Sequence, residues 1–404
     1  MRKAIKKSNL RLYLSGLLPL FFFAHFGHHV VGGMLRPLMP MIRSDFNLNY
    51  TQSGVLMSVF SIAGGISQLP SGWLADRFGP RLMVLLSVTG VAIAGLLIGL
   101  SHSYTALVVF LVLAALLGGG YHPASGAAIS SIVPPEHRGR ALGVHSTCGI
   151  SAFWVVPLIA APIAVAWGWR GSYITLTIPT IIFGILLYIL IGQQTQTHIS
   201  ESREVDSKVN ATPAQIHWRQ LAPFIIISVT AGTIMQSASS YLSLYAVDNL
   251  GVAEAEAAML MAITPAVSLF AAPLGGYFSD RFGSIPVLLI VSFFSIPLVY
   301  LLGLASSVAT LAVLMFVIGI TSSARMPTSE SYITGNTPVH RRATVLGLYY
   351  LASTEVSGIL APVLGLLIDR WGFRASFTAA SAVMGVVVSI FSIFLWRNRT
   401  LGFH

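Results

Sequence analysis

Charge is what this chain has least of. Asp, Glu, Lys and Arg together make up 9% of its 404 residues, where a soluble domain carries about 25%. Such a shortage excludes an ordinary solvated surface over most of the molecule. One cysteine, Cys148, excludes an internal disulfide and a cysteine-based metal cluster. No Gly-x-x-x-x-Gly-Lys stretch is present to cradle ATP phosphates. No His-Glu-x-x-His pair or Ser/His/Asp spacing points to an enzyme. Acidic residues are scarce, 13 against 23 Lys and Arg, for a net charge of +10. That balance would suit a nucleic-acid partner if the cations were clustered, and they are not.

What fills the chain instead is apolar residues, 55% of the total, with a mean hydropathy of +0.78. The bilayer must be the solvent for much of this surface. Apolar runs predict membrane helices at about 12–41, 50–72, 82–100, 105–132, 140–166 and 171–192. A second set falls at 220–247, 255–277, 286–304, 309–335, 343–368 and 372–396. Only helices or closed barrels satisfy the backbone in lipid, and these lengths mean helices. The basic stretch before the first run could open a signal peptide. The apolar run is too long for a signal h-region of about 7–15 residues, so it reads as a membrane helix. The polar stretch 193–219 divides the chain into two six-helix bundles, 1–192 and 220–404, joined by a cytoplasmic linker.

The two halves repeat each other. Gly72-Trp-Leu-Ala-Asp76-Arg77-Phe-Gly79-Pro-Arg81 returns as Gly276-Tyr-Phe-Ser-Asp280-Arg281-Phe-Gly283, 204 positions later. Trp167-Gly-Trp-Arg170-Gly-Ser172 returns as Trp371-Gly-Phe-Arg374-Ala-Ser376 at the same offset. Duplication with a membrane composition is a transporter pattern. With the N-terminus inside, the outer loops hold only Arg43, Arg170, Arg370 and Arg374, while most other cations fall on the inner side. The basic excess is thus a topology signal, with both termini cytoplasmic.

These motifs resemble the major facilitator superfamily over nearly the whole chain. Gly72, Asp76, Arg77, Gly79 and Arg81 match its Gly-x-x-x-Asp-Arg-x-Gly-x-Arg loop. Pro135-Glu136-His137-Arg138-Gly139-Arg140-Ala-Leu-Gly143 is similar to its loop between the fourth and fifth helices. Ala24-His25-Phe26, Pro37-Leu38-Met39-Pro40 and His122-Pro123-Ala124-Ser125 resemble bacterial efflux-type, fosmidomycin-resistance-like members. His29 stands where those relatives favour an acid, and the glycine ladder of Gly143, Gly149 and Val156-Pro157 is reduced. The resemblance implies an all-α membrane protein of twelve helices in two pseudo-symmetric bundles. It implies a mid-membrane substrate site and alternating access. It also implies a cytoplasmic latch of Gly72, Asp76, Arg77, Gly79, Arg81, Asp280, Arg281, Arg138 and Arg140.

Four charges fall inside apolar helices: Arg36, Arg325, Glu330 and Glu355. Each costs about 2.5–3.5 kcal/mol at a helix centre, so they must face water or partners. Arg325 and Glu330 do not share a helix face, which makes Glu355 the expected partner of Arg325. His25, His29, Gly32 and Arg36 lie at i, i+4, i+7 and i+11, with His28 beside them. Gln236, Ser240 and Ser243 form the matching stripe in the second half. Pro123, after Tyr121 and His122, is expected to bend or break its helix. The expected substrate-binding set is Arg36, Arg325, Gln236, Ser240, Tyr241 and His122. The expected proton-coupling set is His25, His29, Glu330 and Glu355, because imidazole and carboxyl groups can exchange protons. His145 and Cys148 read as packing residues. His25 and His29 have metal-ligand spacing but no carboxylate on their helix, so neither a metal nor a cofactor is expected. The expected function is proton-coupled secondary transport of a small organic anion. A drug or metabolite antiporter for neutral or cationic compounds, or a facilitated uniporter, is the alternative. The expected setting is a monomer in the bacterial inner membrane, whose partners are a small-molecule substrate, protons and lipid, with no nucleic acid.

Overall fold

The computed structural model describes residues 18–133, 135–195, 218–338 and 341–400. Among these residues the chain forms helices and no strand. In order they are α1 Leu18–Leu35, α2 Met39–Phe46, α3 Tyr50–Phe78, α4 Pro80–Gly99, α5 Tyr104–Gly118, α6 Tyr121–Ile132 and α7 Pro135–Thr195. The second half gives α8 Trp218–Ser240, α9 Leu242–Leu250, α10 Glu254–Leu260, α11 Ile263–Phe282, α12 Ser284–Leu302, α13 Val308–Gly335 and α14 Arg342–Thr400. Among the described residues, eight helical stretches are long and apolar enough to cross a membrane. Two of them, Ala141–Leu190 and Val345–Arg397, run 50 and 53 residues, enough for two crossings each at about 20 residues per crossing. Most of the 193–219 linker lies outside the described residues.

The duplication read in sequence is present in the backbone. Gly79 and Gly283 take φ of 83° and 86°. Gly168 and Gly372, the bends inside α7 and α14, take φ of 72° and 74°. Side chains rarely adopt that region, and glycine adopts it freely. Ser103 and Ser307 each accept a hydrogen bond from the backbone N–H three residues on, both at 3.2 Å. Each is an N-cap that satisfies an orphan donor of the following helix. All three pairs are 204 residues apart.

Four predicted helices are interrupted, among them the run 220–247, which breaks at Tyr241 between α8 and α9. The run 12–41 ends at Leu35, turns through Arg36–Leu38 and restarts at Met39. Pro37 disfavours helical geometry at the residue before it, so Arg36 sits in a turn rather than three helical turns along one face from His25. The run 105–132 breaks at Gly119–Gly120. Pro123 then occupies the first turn of α6, where its missing N–H removes no hydrogen bond. The expected proline break is therefore a glycine break just upstream. The run 255–277 breaks at Met261–Ala262.

The helices group into two compact units, Met1–Leu38 with Ile62–Ser207, and Met39–Ser61 with Lys208–His404. The first unit's core includes Phe21, Ala24, Val84, Val88, Tyr121, Ile129 and Leu187. Leu221, Val229, Ile333, Val345 and Tyr349 form a core of the second. Segment 39–61, placed by the sequence division in the first bundle, groups with the second unit. Asp369 accepts from the backbone N–H of Tyr50 at 2.9 Å and of Thr51 at 2.8 Å, which caps the start of α3. Tyr50 Oη donates to Asp248 at 2.6 Å, and Arg43 pairs with the same carboxylate.

Candidate functional site

In the first unit, five imidazoles come together. His25, His28 and His29 lie on α1, His122 on α6 and His145 on α7. His25 Nδ1 is 2.7 Å from the carbonyl oxygen of His145. A carbonyl only accepts, so Nδ1 carries the proton, and the neutral ring presents a lone pair at Nε2. His29 Nε2 lies 3.2 Å from that atom and donates to it. The His25 ring stacks on His145 with centroids 4.2 Å apart, and His28 stacks on Tyr121 at 4.6 Å. His145 Nε2 is 3.3 Å from Ser125 Oγ. Tyr121 Oη donates to the carbonyl of Phe21 and ties α6 to α1. His25, His28 and His145 are buried, His29 is half-buried and His122 is exposed. A Cβ at Gly149 would overlap the His25 ring, all three of its nearest atoms belonging to that ring. Ring nitrogens of His25, His29 and His122 all lie within 4.8 Å of one another, a group able to hold a metal ion.

Sequence reasoning brought out His25, His28, His29 and His122 but set His145 aside as packing. His145 is part of the cluster, through its ring stack and its carbonyl. No spacing argument along one helix reaches it, because it comes from α7, 120 residues from His25.

The second unit builds a different site on α8, α13 and α14. Arg325 Nη1 donates to the carbonyl of Ser228 at 3.2 Å, to Ser228 Oγ at 3.3 Å and to Tyr349 Oη at 3.1 Å. Ser228 Oγ is 2.7 Å from Ser329 Oγ and 3.0 Å from Tyr349 Oη. A Cβ at Gly232 would collide with the guanidinium. The expected Arg325–Glu355 pair is not formed. The one ion pair among the described residues is Arg43–Asp248. Glu355 Oε1 is buried with no hydrogen-bond partner there. Glu330 instead accepts from Tyr350 Oη at 2.6 Å. Serine and tyrosine hydroxyls have taken the place foreseen for a carboxylate.

The remaining candidates scatter. Gln236 is exposed, whereas Ser240 is buried and bonds back to the carbonyl of Gln236 at 2.9 Å. Tyr241 is fully buried, and its hydroxyl donates to the carbonyls of Ala361 at 2.6 Å and Tyr50 at 3.2 Å. It ties α8 to α14 and to the start of α3. Arg36 is half-buried in its turn. Of the latch residues, Arg77 is exposed and rests over the rings of Trp73 and Phe78. Arg281 donates to Tyr277 Oη at 2.7 Å, and Asp280 makes no ion pair among the described residues. The surroundings of Gly72 and the side chains of Asp76, Arg81, Arg138 and Arg140 lie outside the described set.

The chain matches the family model described as Major Facilitator Superfamily over residues 21–290 and 224–402. It is 27% identical to the multidrug resistance protein MdtG of Escherichia coli O1:K1 / APEC over 339 residues, 82% of this chain and 81% of that one. Its fold is similar to a bacterial homolog of the human lysosomal transporter Spinster, solved in an inward-facing and unoccupied conformation. There the TM-score is 0.75 at 17% identity, covering 94% and 96% of the two chains. It is likewise similar to the peptide transporter POT in complex with sulfate, with a TM-score of 0.79 at 15% identity and 94% of each chain covered.

Proposed function

The chain belongs to the major facilitator superfamily of membrane transporters, and from that premise we propose that it is a secondary active transporter of a small organic anion, driven by protons. The observation that carries this reading is Arg325. Arg325 lies on a helix apolar and long enough to cross a membrane, and every hydrogen bond its guanidinium makes among the described residues goes to a neutral oxygen. An ionic group in this setting needs a counter-charge or water. A substrate carboxylate or phosphate supplies the first, and Nη2 and Nε, which make no hydrogen bond among the described residues, present the paired donors that bind such groups. Arg36, Gln236, Ser240, Tyr241 and His122 are the further contacts proposed.

In this reading twelve helices form two six-helix bundles, 1–192 and 220–404, that work by alternating access, with both termini cytoplasmic. His25, His29, Glu330 and Glu355 exchange protons. Asp76, Arg77, Asp280 and Arg281, with Arg138 and Arg140, form the inner latch. Substitution of Arg325 by alanine tests the anion assignment directly. In proteoliposomes, uptake of the anion should fall about 10- to 100-fold, the worth of a hydrogen bond to a charged group. Unchanged anion transport by R325A would sink the assignment.

A second reading, drug or metabolite export for neutral or cationic compounds, is favoured by Glu355, a half-buried carboxyl whose Oε1 has no hydrogen-bond partner among the described residues, and by the name of the 27%-identical relative. In that case E355Q should abolish transport while R325A leaves it intact.

A further inference from the structure

We propose that His25, His29 and His122 form a binding site for a borderline divalent transition-metal ion of the Zn2+ class. The proposal goes beyond the anion-transport reading and does not depend on it. Three observations carry it.

The first is distance. Two imidazole nitrogens bound at about 2.0–2.1 Å to one tetrahedral ion stand about 3.3 Å apart. His25 Nε2 and His29 Nε2 are already 3.2 Å apart. A nitrogen of His122 completes a set in which all ligand atoms lie within 4.8 Å. Small rotations of His122, the most exposed of the three, would bring the third nitrogen to the ion.

The second is orientation. A metal-bound histidine almost always donates its other ring N–H to a carbonyl or carboxylate, which fixes the tautomer and the ring plane. His25 does this already, with Nδ1–H on the carbonyl of His145 at 2.7 Å. Gly149 leaves room for the ring to lie flat against α7, where any Cβ would collide.

The third is chemistry. The donor set is three imidazoles with no carboxylate among the groups gathered there. Imidazole suits Zn, Cu, Ni and Fe, whereas Mg and Ca select oxygen ligands. Three protein ligands leave the fourth tetrahedral place open for water or a donor atom of a solute. Burial falls from His25 through His29 to His122, so the open place faces the accessible end. To bind, His29 shifts its proton from Nε2 to Nδ1, and the lone pair now accepting that proton on His25 turns to the ion.

The test uses the full-length protein in nanodiscs, purified on a tag without histidines. Zn2+ is titrated calorimetrically, and Co2+ is followed by its visible d–d bands, which are intense for tetrahedral coordination. The expected result is one ion per chain, with tetrahedral bands that Zn2+ displaces. H122A should weaken binding by more than the 10- to 100-fold that loss of an outer-shell partner costs. H122D, which restores a ligand atom, should recover the bands, and this separates ligation from a folding defect. H102A, which changes a histidine in the connection between α4 and α5, should bind as the parent does. Absence of stoichiometric binding in the parent, or parental affinity in H122A and in the H25A/H29A double variant, would overturn the proposal.

Discussion

The two halves of this chain put different chemistry in the same places. Tyr121 and Arg325, Ser125 and Ser329, His145 and Tyr349, Ala24 and Ser228, and His28 and Gly232 are all pairs 204 residues apart. In the first half the His28 ring stacks on Tyr121, and Ser125 meets His145. In the second, Gly232 leaves the space that the ring would fill, the Arg325 guanidinium occupies it, and Ser228, Ser329 and Tyr349 close around the charge. One backbone arrangement therefore carries an imidazole cluster in one copy and a guanidinium cradle in the other. The exchange that matters most is the ring for the glycine, because it decides whether a long cation fits.

That comparison can be broken at Gly232. G232A should push the guanidinium off its partners and reduce transport about 100-fold, the penalty for misplacing a binding group by about an ångström. Uptake in proteoliposomes measures it, and parental uptake would mean that the cradle does not hold the substrate. The counterpart experiment in the first copy is G149A. It should drive the His25 ring from the His145 carbonyl and cost about 1–3 kcal/mol through overpacking, read as a lower unfolding temperature in detergent.

A smaller effect tests where the copies differ at the end of a helix before its glycine bend. Asp369 caps α3 through Tyr50 and Thr51, while its counterpart in the first copy is Val165. D369N keeps the shape and removes the charge. Because the site is exposed, it should cost only about 1 kcal/mol, again by thermal unfolding, with V165N neutral. The smallest effect should be the most symmetrical. S103A and S307A each remove an N-cap worth about 0.5–1 kcal/mol, and equal losses are expected. Unequal losses would show that the copies have diverged in stability as well as in chemistry.

The fold was largely legible because it repeats. Asp76 and Asp280, with the Trp-Gly pairs, carry the offset in plain sequence, and Gly79, Gly168, Gly283 and Gly372, all of positive φ, lie inside those motifs. The interruptions were harder. Pro37 stands in the sequence as a breaker, yet a long apolar run hides its effect, and Arg36 was extrapolated along a helix that stops before it. The site was half legible. Polar residues on apolar helices marked His25, His29, His122 and Arg325 by what they would cost in lipid. Their partners were not legible, since His145, Ser228 and Tyr349 reach the site from other helices. A hydroxyl or a backbone carbonyl looks the same in sequence whether or not it solvates a cation.

The matched turns make part of this protein interchangeable with itself. Gly79 to Ser103 and Gly283 to Ser307 are equal in length, and each opens on a left-handed glycine and closes on a capping serine. A chimera carrying one segment twice would keep both of its corners. Whatever such a graft lost would report on side-chain fit alone, which offers a way to assay lateral helix recognition without disturbing the loops.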